Sequence, residues 1–130
     1  MPISNIKAIF NCDKQIVWDL VTDVSNYADW RSDLSHTEVL ENGKFVEYSK
    51  SGFPTTFTTT LFDPYSRWEF HMENSNMSGY WVGVFSQEGE QTTVSFTENV
   101  TAKKWFLKPL IRRYLRKQQA QFIADLKKRL

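Results

Sequence analysis

The period of the hydrophobic positions changes twice along the chain. ISNIKAIFN, residues 3–11, alternates with Ile6, Ala8 and Phe10 on one face, as a half-buried strand does. From Asp13, a suitable N-cap, the spacing becomes helical through Ile16, Val17, Leu20 and Val21. A second short helix is predicted over SNYADWR, residues 25–31, capped by Ser25. The period then returns to two until about residue 101. HTEVLE and KFVEYS flank Asn42-Gly43, a strong hairpin signal because both residues tolerate positive φ. TTFTTTLF stops at Asp63-Pro64, RWEFHME follows, and MSGYWVGVFSQ joins QTTVSFTENV through Glu88-Gly89-Glu90. These segments predict six strands in a meander after the two short helices.

Beyond Val100 the helical period returns, with Leu107, Ile111, Leu115, Phe122 and Leu126 on one stripe and Arg112, Arg113, Arg116 and Lys117 opposite. Proline is tolerated only in a first helical turn, so Pro109 sets the start of this helix near Lys108 or Pro109, and KKWFL becomes a turn or short helix leading into it. In GYWVGVF both faces carry large groups, so the pattern leaves open whether Trp81 and Phe85 or Tyr80, Val82 and Val84 point inward.

Two polar residues interrupt apolar faces. Glu98 shares a strand face with Val94, Phe96 and Val100, and Gln118 falls within the apolar stripe of the last helix. A buried carboxylate without a partner raises its pKa or destabilises the fold. Glu98 is therefore expected either to pair with Arg31, or with an arginine of the long helix, as a structural fixture, or to act as a general base or ligand anchor.

Length bounds the answer to one domain, residues 1–130. Aromatic residues make up 15% of the chain, more than a small tightly packed core requires, and rings such as Trp18, Trp30 and Trp68 can pack a core or line a cavity. Cys12 is the single cysteine, which excludes an intramolecular disulfide and reads as a packed thiol. MPISNIKAIFNC lacks the layout of a signal peptide and no run approaches the ~20 apolar residues of a membrane span, so a soluble cytoplasmic protein is expected.

The net charge of +1 hides an asymmetry. Residues 103–130 hold ten Lys and Arg against Asp125 alone, on an otherwise acidic chain. Such a segment suits an anionic surface, or it is a solvated helix face held partly by the acidic sheet. Trp105 and Phe106, beside Lys103, Lys104 and Lys108, are candidates for a lid over a cavity mouth or a peripheral membrane contact; docking on the sheet edge is the plainer expectation.

Other chemistry is disfavoured. A nucleophile needs a histidine oriented by a third group. His71 lies between Glu69 and Glu73 on the polar side of its strand, and His36 has no motif around it. One cysteine and two dispersed histidines do not make a zinc site, and the five glycines form no phosphate loop or dinucleotide fingerprint. We expect no metal, no cofactor and no nucleic acid.

The order strand, two short helices, antiparallel meander, long helix resembles the START-like, SRPBCC or Bet v 1-like, superfamily over the whole chain. VWDLVTDVSNYADWRSDLSHTEVL followed by NGKFVEYSKSG, and EGEQTTVSFTENV before the amphipathic helix, are similar to its polyketide cyclase/dehydrase-type branch. The resemblance implies an α+β helix-grip fold: a curved antiparallel sheet wrapped around the C-terminal helix, with an apolar cavity between them for lipids, sterols, polyketides or similar molecules. Some members cyclise or aromatise; others carry ligands. On that fold Trp68, Phe70, Met72, Val94, Phe96 and Glu98 of the strands would face Ile111, Tyr114, Leu115, Gln118 and Phe122 of the helix. The expected function is binding, or transport, of a hydrophobic or amphipathic small molecule. An aromatase/cyclase-like enzyme using Glu98 for proton transfer is the alternative, and a membrane-surface or interaction module using the basic helix a further one. The sequence leaves the oligomeric state open.

Overall fold

The computed structural model describes residues 3–130; Met1 and Pro2, which the single-domain and leader readings included, lie outside the described residues. Strand β1 (Ile3–Phe10) leads into helix α1 (Lys14–Thr22) and a 3₁₀ turn (Val24–Asp29). There follow β2 (Leu34–Val39), β3 (Lys44–Ser49), β4 (Pro54–Asp63), β5 (Arg67–Glu73), β6 (Met77–Glu88) and β7 (Gln91–Ala102). A short 3₁₀ turn (Trp105–Leu107) then enters helix α2 (Lys108–Arg129).

The strands form one antiparallel sheet in the order β1-β7-β6-β5-β4-β3-β2. Each hairpin of the meander pairs consecutive strands, and β1 closes the free side of β7, with Ile6 opposite Phe96 and Ser4 opposite Glu98. The Asn42-Gly43 turn has φ of 58° and 74°, the left-handed values that let so short a link follow the strand twist. The sheet wraps α2, which packs on β1 and β7, so the fold is the expected helix grip.

The helix starts agree with their local chemistry. Asp13 caps α1 by accepting from the Gln15 N–H at 2.8 Å, and Pro109 stands in the first turn of α2, where its missing N–H costs nothing. The second helix differs from expectation. Asp23, not Ser25, occupies its N-cap, and its carboxylate accepts from Ser25 Oγ and Asn26 Nδ2. Trp30 and Arg31 have left the turn.

Burial resolves the ambiguous strand. Trp81 and Phe85 are buried with Gly79 and Gly83, while Tyr80 is exposed and Val82 and Val84 are half-buried. Gly83 makes this possible: a Cβ there would lie 2.3 Å from Trp81 Cη2, so the indole occupies the space that any other residue would fill. The ring joins a continuous aromatic core, stacked on Phe70 at 4.6 Å and tilted against Phe96 at 5.0 Å. Trp68 meets Phe45, Phe70 and Trp81.

Candidate functional site

A cavity of ≈ 160 Å³ lies between the inner face of the sheet and α2. Alternation in β5 sends Trp68, Phe70 and Met72 into it, β7 sends Phe96 and Glu98, and β6 sends Met77 and Trp81. From α2 come Tyr114, Gln118, Gln119 and Phe122. Tyr27, Arg31, Asp33 and Leu34 close one side from the segment after α1, and β3 adds Glu47. Phe53 and Tyr114 line the cavity and are also partly exposed, which puts them at its open end.

Eight of the eleven expected lining residues thus meet around one space. Val94, Ile111 and Leu115 do not reach it; they are buried behind the lining, in the layer that joins α2 to the sheet. Trp105 and Phe106 do not line it either. They are 80% and 53% exposed, their rings perpendicular and 6.0 Å apart, and not docked on the sheet edge as the plainer expectation had it.

The Arg31–Glu98 ion pair does not form. Arg31, 8% exposed, donates through Nε and Nη2 to Asp33 (3.2 and 2.8 Å) and through Nη1 to Glu47 (2.7 Å), and its guanidinium lies 5.0 Å from the ring centres of both Tyr27 and Phe122. The chain leaves the 3₁₀ turn just before Arg31, which aims the side chain at β3 and at its own neighbour Asp33 instead of at β7. Burial lowers the guanidinium pKa, but Glu47 and Asp33 raise it further, so Arg31 stays charged. Burial also raises the pKa of Glu47, against the pull of Arg31.

Glu98 is left without a hydrogen bond or ion pair among the described residues. It is half-buried and lines the cavity. Desolvation first, and then the charge of Glu47, raise its pKa to about 7, with Arg31 offsetting only part of the rise. Near neutrality it can hold a proton to donate or release it to accept one. Tyr114 stands nearby, its hydroxyl pKa raised by desolvation while it accepts a 3.2 Å hydrogen bond from Gln118 Nε2.

The glutamine buried deepest in α2 is Gln119, 4% exposed, where the sequence reading chose Gln118. Its Oε1 accepts from Ser4 Oγ at 2.6 Å, and its Nε2 donates to the carbonyls of Ser4 (3.0 Å) and Phe96 (3.2 Å). It ties the helix to β1 and β7 and is fully used. Gln118 sits at the stripe's edge, facing the cavity. Sequence reasoning also missed Asp125, which holds the loop after Arg31 by accepting from the Ser32 N–H at 2.8 Å and Ser32 Oγ at 3.0 Å. Burial raises its pKa, but the hydrogen bonds from Ser32 and Gln121 outweigh this and leave it below the usual value. Glu47 did carry a signal, since it shares a strand face with Phe45 as Glu98 does with Phe96.

Among the described residues no group of three or more His, Cys, Asp or Glu is placed to hold a metal ion. What the site offers is an apolar, ring-lined space with one unpaired carboxyl.

The sequence model of the family described as polyketide cyclase / dehydrase and lipid transport matches residues 4–130. The chain belongs to that family. No curated protein matches it. Among solved structures it is similar to a START superfamily protein from Mycobacterium smegmatis, at TM-score 0.89 and 9% identity over 98% of this chain and 95% of that one. It is also similar to the Zhui aromatase/cyclase from Streptomyces sp. R1128, at TM-score 0.78 and 16% identity over 98% and 92%. The di-domain ARO/CYC BexL of the BE-7585A biosynthetic pathway matches at 0.79 and 20%, over 98% of this chain and 45% of that one. At these identities the likeness is one of fold. The polyketide cyclase / dehydrase and lipid transport family therefore supplies the architecture, and this chain's own lining supplies the chemistry.

Proposed function

We propose that the protein binds a hydrophobic or amphipathic small molecule between the sheet and α2. The observation that carries this reading is the ring-lined cavity closed at one side by Glu98, a carboxyl that no other side chain satisfies among the described residues. Ligand sites are mostly apolar with a few polar groups that fix orientation, and an unmet buried carboxyl fits that pattern. Size limits the occupant: an apolar cavity of about 150 Å³ holds a benzene-sized molecule, so ≈ 160 Å³ takes one ring or the end of a longer chain that leaves past Phe53 and Tyr114. Native mass spectrometry of the purified protein, with extraction of any co-purified small molecule, tests the reading. A protein that is empty and admits no ring-sized apolar probe would sink it.

A second reading is an aromatase/cyclase-like enzyme. It is favoured by the Glu98 pKa of about 7, the range in which a general acid or base works at neutral pH. Two of the solved structures of this fold are described as aromatase/cyclases. In this reading the cavity holds a reactive chain folded and Glu98 moves the proton. Full turnover by Glu98→Gln, once a substrate is in hand, would remove it.

A further inference from the structure

We infer that the cavity takes a neutral or cationic amphiphile, an amine above all, and discriminates against carboxylate-headed molecules such as fatty acids. The inference rests on the cavity-binding reading and adds the charge of the head group. Four charged side chains line the space, one cation and three carboxyls: Arg31, Asp33, Glu47 and Glu98. The cation is already spent. Three of the five guanidinium N–H groups go to Asp33 and Glu47, so its single charge is already matched by two carboxyls before any ligand enters.

The two glutamines of α2 are engaged as well. Gln119 is tied to Ser4 and Phe96, and Gln118 Nε2 donates to the Tyr114 hydroxyl, whose own proton stays available as a neutral donor. Glu98 alone has no side-chain partner among the described residues; ionised it only accepts, and neutral it donates one proton and still accepts. A ligand carboxylate beside it would meet a second acid with no counter-ion, in a site where Glu47 already opposes negative charge. A hydroxyl or carbonyl could hydrogen-bond the neutral acid. An ammonium would replace the proton of Glu98 with an ion pair and meet the excess of carboxyls.

The groups around Glu98 set the pH behaviour. Arg31, Asp33 and Glu47 line the same cavity, Tyr114 comes from α2, and Ser4 of β1 and Trp81 of β6 flank it across the sheet. Arg113 and Lys117 of α2 are exposed and do not line the cavity. Because an ammonium binds the ionised form, its affinity should level off above the Glu98 pKa and fall below it, approaching a tenfold loss per pH unit well below it.

The test uses three probes with the same ring and different heads: benzylamine, benzyl alcohol and benzoate. Each is titrated into the full chain while the Trp68 and Trp81 indole N–H resonances are followed. The expected order at pH 8 is amine, then alcohol, then benzoate, with the amine at least tenfold tighter than benzoate. Amine affinity should fall about tenfold between pH 8 and pH 6, and Glu98→Gln should remove both the amine preference and this pH dependence. Benzoate binding as tightly as benzylamine, with the same indoles shifted, would overturn the inference and leave cavity binding standing. If none of the three shifts the indoles, the cavity reading fails and takes the inference with it. Should Glu98→Gln not give a native spectrum, the wild-type pH profile alone decides: amine affinity that is flat from pH 6 to pH 8 overturns the inference.

Discussion

Arg31 Nη1 donates to Glu47 Oε2 at 2.7 Å from within the protein, and that bond is why Glu98 has no counter-ion. Two carboxyls on neighbouring parts of one cavity compete for a single guanidinium. Burial raises the pKa of both, but Arg31 pulls the Glu47 pKa back through charge and a direct hydrogen bond, whereas Glu98 gets a weaker pull from Arg31 and the opposing charge of Glu47. Removing the Glu47 charge should therefore lower the Glu98 pKa. Carbon-detected NMR titration of the side-chain carboxyls in Glu47→Gln checks this, and an unchanged or higher value would contradict the coupling.

Stability should respond to Glu98 with a definite sign. The folded-state pKa, about 7, lies above the ordinary glutamate value of 4.5, so the folded protein holds this proton more tightly than the unfolded chain. This contribution is fully favourable below about pH 4.5 and is lost as the pH rises to about 7, a change worth about 3 kcal/mol at most. Glu98→Gln keeps the shape of the neutral acid without the penalty. Urea denaturation should find the variant level with the wild type near pH 4.5 and more stable at pH 8; a variant less stable at pH 8 would refute the assignment.

Arg31→Met should be far more harmful than its neutral-sounding exchange suggests. It would strand Asp33 and Glu47 beside each other with no cation, and breaking a buried pair in this way costs about 3–5 kcal/mol. The triple variant that also carries Asp33→Asn and Glu47→Gln should recover part of the loss, as measured by denaturant midpoints.

Gly83→Ala should disturb the cavity without adding charge or much bulk. Its Cβ would lie 2.3 Å from the Trp81 ring, and the indole must move or the strand must shift. We expect a loss of about 1–3 kcal/mol, as overpacking gives, and a changed Trp81 indole resonance. An unaltered resonance with full stability would show that the ring does not lie over residue 83.

Trp105 is 80% exposed at the head of a basic segment, with Phe106 and Leu110 also exposed beside Lys103, Lys104 and Lys108. Of these lysines only Lys103 makes an ion pair among the described residues, with Glu73 at 2.7 Å. If this surface meets an anionic bilayer, sedimentation with phosphatidylserine vesicles should weaken as salt is raised from 50 to 500 mM. Trp105→Ala with Phe106→Ser should weaken it further while changing stability by less than about 0.5 kcal/mol. Equal sedimentation with phosphatidylcholine vesicles, or none with either, would exclude the contact.

Much of the fold was legible because it depends on local chemistry. Asp13 caps a helix, Asn42-Gly43 turns a hairpin and Pro109 starts α2, each through backbone preferences that act within a few residues. Period-two alternation in β5 and β7 placed Trp68, Phe70, Met72, Phe96 and Glu98 on the inner face, and the family resemblance turned those faces into a cavity wall. Gln119 was missed because Gln118 and Gln119 fall on the same broad stripe of α2, and only the position of β1 and β7 decides which of them is central.

The sequence by itself determined the order of elements, the inward faces of most strands and the presence of one carboxyl where a hydrocarbon was expected. Tertiary structure alone decided where Arg31 goes. Residues 31, 33, 47 and 98 are brought together by the curvature of the sheet and the path of the chain after the 3₁₀ turn, and no local pattern encodes a distance between them. A buried charge takes the partner that geometry puts within hydrogen-bond reach, and here that partner is Glu47.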